Sequence, residues 1–111
     1  MNATTPAWIV LAVAGLLEVA WSYAMKQSQG FTRLWPSVAT VVAAGASFVL
    51  LSYALRVLPL GTAYAAWTGI GALGAFVLGI AVLGEPASAL RLGSAALILL
   101  GLLGLKLTSG D

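Results

Sequence analysis

Apolar residues occupy four long runs along the chain, and a proline stands at or near the start of each run. The runs cover residues 6–25, 35–55, 60–83 and 87–105. Each is close to the roughly 20 residues that an α-helix needs to cross the hydrocarbon core of a bilayer. Proline is tolerated there because the first turn of a helix does not use the missing N–H. The pattern predicts an all-α integral membrane protein with four transmembrane helices.

The connections between the runs are short and leave no room for an extramembrane domain. They cover residues 26–34, 56–59 and 84–86. Short connections make successive helices antiparallel neighbours. We therefore expect one domain over residues 1–111, with both termini on the same side of the membrane. Arg91 lies within the last run, near its start, from where a long side chain can reach the headgroups.

The composition argues against a soluble domain and against several kinds of chemistry. Of the 111 residues, 61% are hydrophobic and 7% are charged, whereas a soluble domain carries charge at about 25% of positions. The first run contains a glutamate and follows no basic segment, so a retained span is favoured over a cleaved signal peptide. The net charge of +2 is too small and scattered to indicate nucleic acid. The chain has no cysteine and no histidine, and we predict no metal, no cofactor and no enzymatic activity.

The distribution of basic residues bears on orientation. Arg56 and Lys106 lie on the side of the termini, and Lys26, Arg33 and Arg91 lie on the opposite side. The positive-inside rule sets the orientation in the membrane through such differences, and a difference of one residue gives only a weak bias. Two alternatives remain open, namely insertion in both orientations or a slight preference for a cytoplasmic first connection.

Four helices enclose too little space for a polar pathway, which predicts an oligomer. Gly93, Gly101 and Gly104 in the last run can form a contact face, because small residues let helix backbones approach closely in lipid. The alternative is that these glycines have no special role, since glycine is common in membrane helices.

Glu18 is the only acidic residue inside any of the four apolar runs. A carboxylate at this depth loses its hydration, at a cost of about 3 kcal/mol or more. Protonation or pairing with a cation removes most of that cost. The sequence therefore predicts a site at Glu18 whose occupancy can change.

Trp21 shares a helix face with Glu18 and can donate its indole N–H to the carboxylate. The alternative is an interfacial anchor, but Trp21 falls about 7 Å short of the helix end at Lys26. Trp8 and Trp35 lie at the ends of their runs and fit an interfacial belt better.

The second and third runs offer further candidates. Tyr64 and Trp67 are three residues apart and can attract a cation or hydrogen-bond a carboxylate, or else simply pack helices together. Thr68 adds a hydroxyl group beside them. Ser47, near the middle of the second run, can bond a carbonyl of its own helix or point at Glu18, and spacing alone does not choose.

Two further features, the glycines of the third run and a pair of charged residues after it, have simple interpretations. Its glycines can bring helices together or weaken the helix so that it bends; they are Gly69, Gly71, Gly74 and Gly79. Glu85 in the following connection and Arg91 near the start of the last run can form an exposed ion pair, which contributes little to stability.

Four stretches resemble the small multidrug resistance family, in order and over nearly the whole chain. They are GLLEVAW (15–21), MKQSQGFTRLWPSV (25–38), GTAYAAWTGIGALGA (61–75) and GLLGLK (101–106). The tryptophan three residues after the glutamate and the run AWTGIG are similar to the guanidinium-exporter subtype. The loop FTRLWPSV is also similar to the broad-specificity quaternary-ammonium subtype and does not discriminate between the two.

The resemblance implies an antiparallel homodimer of oppositely inserted copies in the bacterial inner membrane. It also implies proton-coupled antiport that exports guanidinium and related small guanidinyl or alkyl-ammonium cations. By position, Glu18 becomes the proton and cation site, Trp21 and Ser47 its hydrogen-bonding support, and Tyr64 and Trp67 the pocket lining. The alternatives are a quaternary-ammonium or multidrug cation exporter of the same family, and a non-transporting membrane subunit.

Overall fold

The computed structural model describes residues 4–108, which form four α-helices and no β-strand. The helices are α1 Thr4–Gln27, α2 Leu34–Ala54, α3 Leu60–Ala81 and α4 Ala89–Thr108. All four are long and apolar enough to span a membrane. The prediction of an all-α membrane protein with four spanning helices is confirmed.

The α1–α2 connection is organised by Ser28, whose side chain is fully buried. The Ser28 hydroxyl donates a hydrogen bond to the Met25 carbonyl at 2.6 Å and accepts one from the Phe31 amide at 3.0 Å. Gln29, Gly30 and Phe31 all adopt the left-handed conformation, with φ of 51°, 75° and 65°. Non-glycine residues rarely adopt this conformation, and the hydroxyl bonds of Ser28 help to hold the turn that reverses the chain.

The α3–α4 connection is set by hydrogen bonds at its two ends. The Gly79 carbonyl accepts the amides of Leu83 and Glu85 at 3.2 and 3.0 Å, which ends α3 at Ala81. The Ser88 hydroxyl accepts the Arg91 amide at 3.3 Å, as a helix N-cap does. The apolar run therefore extends beyond α3, and α4 begins at Ala89 rather than at position 87.

The core lies where α1 packs against α2 and α3. Leu11 is the largest residue among the fully buried ones, and most of the others are alanines, including Ala14, Ala54, Ala63 and Ala66. Small side chains let three helix backbones approach closely, which is how helices associate when lipid removes the hydrophobic driving force. The result is a tightly packed three-helix unit.

α4 packs along α3 only, and none of its residues from 89 to 108 is buried. A Cβ atom added at Gly93, Gly101 or Gly104 would meet no other atom within 4 Å. Lys106 reaches back across the unit, with its Nζ 5.1 Å from the centre of the Trp8 ring. Most of the surface of α4 is therefore available to lipid or to another chain.

The glycines of α3 serve close approach. A Cβ atom at Gly69 would lie 2.7 Å from the Cδ1 of Leu102 on α4, and one at Gly74 would overlap Val19 on α1. α3 itself is a continuous helix from Leu60 to Ala81. The sequence left open whether these glycines bring helices together or let the helix bend. In the structure they bring helices together.

Candidate functional site

Glu18 lies past the middle of α1 and faces α3 at Gly71. A Cβ atom added at Gly71 would lie 2.7 Å from both the Cβ and the Cδ of Glu18, so only glycine leaves room for this side chain. The Oε1 atom is buried and has no hydrogen-bond partner within residues 4–108. Buried polar atoms are nearly always satisfied, and an exception in a native fold calls for an explanation.

The carboxylate opens into a cavity of about 210 Å³ between α1 and α3. Its lining residues are Glu18, Trp21, Ser22, Thr68, Gly71, Ala72 and Ala75. Drug-sized ligands occupy larger pockets, of about 300 Å³ and more. The cavity within one chain is thus suited to a small ion.

Trp21 lines this cavity and also a larger, more apolar one of about 470 Å³ between α1 and α2. Its indole nitrogen is buried but has no hydrogen-bond partner in the described part of the chain. The indole–carboxylate bond that the sequence suggested is therefore not formed in this conformation. The Trp21 side chain instead lies between the two cavities and lines both.

Ser47 joins three helices through its hydroxyl group. It donates to the Ala14 carbonyl of α1 at 2.7 Å and accepts from the indole nitrogen of Trp67 of α3 at 2.9 Å. Ser47 is fully buried and Trp67 is 6% exposed. Neither partner considered from the sequence, the carbonyl of its own helix or Glu18, is the one observed. Because Ala14 is one turn before Glu18, these bonds set the position of the carboxylate relative to α2 and α3.

An aromatic cluster surrounds Trp67. The ring of Tyr64 lies 5.4 Å from it at 48°, and the ring of Phe48 lies 5.7 Å from it at 58°. Such tilted geometries suit the quadrupoles of aromatic rings. Tyr64 is 54% exposed, on the outside of the single chain. The structure thus brings Tyr64, Trp67 and Ser47 together, one layer away from the cavity that Glu18 and Trp21 share.

Three contributors were not assigned to the site from the sequence. Ser22 is four residues after Glu18, and helical spacing alone could have placed it at the site. Phe48 carried no such signal, because an apolar residue in an apolar run is unremarkable until its neighbours on other helices are known. The sequence placed Gly71 only among four glycines that could bring helices together or let the helix bend, and did not connect it with Glu18.

Replacing Ser47 with alanine tests the three-helix connection. We expect Ser47→Ala to lower the free energy of unfolding by about 1–2 kcal/mol, because the buried indole N–H of Trp67 loses its acceptor. Denaturant unfolding in detergent micelles, followed by tryptophan fluorescence, measures the change. Ser52→Ala, on the exposed side of α2, is the matched control and should change stability by less than about 0.5 kcal/mol. Equal stability of the two variants would contradict the assignment.

Residues 4–108 contain no group of three or more acidic, cysteine or histidine side chains that could hold a metal ion. The polar groups of the site are a carboxylate, hydroxyls and indoles. Together they form a candidate polar site within a bundle of four membrane-length helices, which is the architecture of an integral membrane protein.

Comparison with known proteins gives the family. Residues 6–100 match the family model described as Small Multidrug Resistance protein. The guanidinium exporter of Yersinia pseudotuberculosis is 59% identical over 103 residues, which are 93% of this chain and 99% of that protein. The guanidinium exporters of Escherichia coli K12 and Salmonella thompson are each 57% identical over 102 residues, which are 92% of this chain and 97% of those proteins.

The chain therefore belongs to the small multidrug resistance family, as its sequence motifs suggested. It is a multi-pass protein of the bacterial inner membrane. Its relatives are named as exporters, which places it among transport proteins.

Proposed function

We propose that this protein is a proton-coupled antiporter that exports guanidinium and related small guanidinyl or alkyl-ammonium cations. The observation that carries the proposal is the buried Oε1 of Glu18, which has no hydrogen-bond partner within residues 4–108 and borders a cavity of about 210 Å³. A proton or a cation can satisfy this oxygen, but one carboxylate does not hold both. Competition for one site couples the two flows in opposite directions.

The chemistry of the site favours guanidinium. A guanidinium ion is planar and presents N–H donors in a fork that matches the two oxygens of a carboxylate. Thr68 and Ser22 place hydroxyl oxygens at the same cavity, where they can accept further N–H bonds. The relatives' names, which are guanidinium exporters, point to the same substrate class.

Each of the other candidate residues has a distinct role in this proposal. Trp21 covers the cation and can turn its indole toward the carboxylate, and Ser47 holds α1 in place. Tyr64 and Trp67 supply aromatic surface to the pocket, where a desolvated cation gains up to about 2 kcal/mol. The apolar cavity on the far side of Trp21 gives an alkyl group of a larger substrate a place to lie.

The functional unit that we propose is an antiparallel homodimer of oppositely inserted copies, each chain being a single four-helix domain. The support is that α4 buries none of its residues and exposes Gly93, Gly101 and Gly104. The nearly even distribution of basic residues allows both orientations. In such a dimer the two copies of Glu18 serve a shared site, and the exposed Tyr64 faces the partner.

Transport by the purified protein tests the proposal. Liposomes that contain the protein and a pH-sensitive dye are given an outward guanidinium gradient, and we expect protons to flow inward far faster than in protein-free liposomes. Tetrapropylammonium, which has no N–H to offer, is the comparison substrate and should drive much slower proton flow. Faster flow with tetrapropylammonium would favour a quaternary-ammonium exporter. If neither cation drives proton flow, antiport is contradicted.

A further inference from the structure

A second cavity adjoins that of Glu18 and lies toward the membrane surface. It has a volume of about 170 Å³ and is lined by Ser22, Tyr23, Lys26, Ala75, Leu78, Gly79, Leu83 and Glu85. Ser22 and Ala75 line both cavities. The two cavities therefore follow one groove between α1 and α3, with a carboxylate at each end.

Glu85 is held in this groove by a close approach to α3. A Cβ atom added at Gly79 would lie 2.7 Å from the Cδ of Glu85 and 3.0 Å from its Oε2. The Glu85 amide also donates to the Gly79 carbonyl at 3.0 Å. Gly71 receives Glu18 in the same way, eight residues or about 12 Å earlier on α3. Glycine thus makes room for both carboxylates on the helix that forms one wall of the groove.

Charged groups on two other elements face Glu85. The guanidinium of Arg91 bonds the Oε1 of Glu85 at 3.3 Å, bonds the Pro86 carbonyl and lies 4.9 Å from the centre of the Phe76 ring. From α1, Lys26 and Tyr23 line the same cavity. Lys26 is the positive side chain that lines this cavity, and its charge disfavours the entry of a substrate cation into the narrow space. A proton can still be relayed between hydroxyl groups and water, because this transfer needs no space for a bulky ion.

We propose that Glu85 collects protons at the membrane surface and delivers them to Glu18 through this groove. The inference rests on the function proposed above and adds a proton route separate from the substrate route. A proton leaves the carboxyl group of Glu85, passes through water and the Ser22 hydroxyl, and ends on Oε1 of Glu18. Glu85 becomes a carboxylate again and takes its next proton from bulk water.

Ser22 is suited to be the intermediate station. Its hydroxyl donates to the Val19 carbonyl of the same helix at 3.0 Å, and its oxygen still has a lone pair that can accept a proton-donating bond. The groove opens at the end of α1 that carries Lys26. In an antiparallel dimer the two grooves open on opposite sides of the membrane, so each Glu18 has its own route to one side.

The decisive experiment compares Glu85→Gln with Arg91→Gln. Both variants remove the ion pair between Glu85 and Arg91, but only Glu85→Gln removes the carboxylate from the groove. We expect Glu85→Gln to slow guanidinium-driven proton flow about tenfold at alkaline pH, where free protons are scarce, and less at acidic pH. In Arg91→Gln the rate of proton flow should stay within about twofold of the wild type, because the Glu85 carboxylate remains in the groove. Equilibrium guanidinium affinity should be unchanged in both variants.

Two outcomes would overturn the inference. Equal slowing of both variants would mean that the ion pair acts only as a structural clamp. Wild-type speed in Glu85→Gln would mean that protons reach Glu18 by another route. If the wild type itself moves no protons in response to guanidinium, the proposed antiport fails instead.

A second pair of variants covers the case in which Glu85→Gln does not fold. Gly79→Ala displaces the Glu85 carboxylate from its position against α3 without changing any charge. Gly61→Ala is the control, because it places a methyl group in open space on the same helix. We expect only Gly79→Ala to slow proton flow at alkaline pH. Equal rates in these two variants would count against the route.

Discussion

Glu18→Gln is expected to abolish guanidinium-driven proton flow in liposomes, to the level of protein-free vesicles. The amide has nearly the same shape as a protonated carboxyl group, so the packing against Gly71 is retained. It cannot ionise, however, and so it neither releases a proton nor balances the charge of a bound cation. Proton flow is measured with an internal pH-sensitive dye after a guanidinium gradient is imposed.

Substrate binding to the same variant provides a second measurement. Trp21 borders the cavity of Glu18 and makes intrinsic fluorescence a suitable probe. Loss of two charge-assisted hydrogen bonds costs about 3 kcal/mol or more, so the affinity for guanidinium should fall more than about a hundredfold. In the wild type the apparent affinity should weaken as the pH falls, because protons compete for the carboxylate. In Glu18→Gln no such pH dependence should remain.

Glu18→Asp is the control for charge, since it keeps a carboxylate but shortens its side chain. We expect slower exchange with proton coupling retained. Coupled exchange by Glu18→Gln would falsify the assignment of this residue, whatever the behaviour of the aspartate variant.

Gly71→Ala is expected to have the second largest effect. The added methyl group would lie 2.7 Å from the Cβ and Cδ of Glu18, closer than real atoms approach, so the carboxylate or the whole helix must move. Overpacking of this kind costs about 1–3 kcal/mol, and we expect guanidinium affinity and transport to fall roughly ten- to a hundredfold. Titration by tryptophan fluorescence and liposome transport measure the two effects.

The matched control is Gly61→Ala, which makes the same substitution in the first turn of α3. A Cβ atom there meets nothing within 4 Å, so affinity and transport should stay close to wild type. If Gly71→Ala binds and transports guanidinium as well as Gly61→Ala does, then Glu18 does not depend on the close approach of α3.

The membrane class and the four helices followed from the sequence, which also singled out Glu18 as a candidate site residue. A run of about 20 apolar residues has few alternatives in lipid, because a helix satisfies every backbone hydrogen bond within one segment. An acidic side chain in such a run is conspicuous because the bilayer core contains no water to hydrogen-bond it. The family also followed from motifs in linear order, and the comparison with relatives confirmed it. Proton coupling and the antiparallel dimer remain predictions.

The ends of α3 and α4 were less accessible to sequence patterns. Hydropathy continues past Ala81, but the Gly79 carbonyl accepts the Leu83 and Glu85 amides and the helix stops there. Ser88 then caps the next helix two residues later than the apolar pattern indicated. Such local hydrogen bonds override an apolar run at its margin.

Only the tertiary structure decided which side chains meet. Periodicity placed Trp21 on the face of Glu18, yet its indole has no partner within residues 4–108, and Ser47 bonds the Ala14 carbonyl and the Trp67 indole instead. The physical reason is that spacing along one helix specifies angles about that helix's own axis alone. The rotation and depth of each helix relative to its neighbours depend on close packing, here set by residues as small as Gly71, and that packing determines the site.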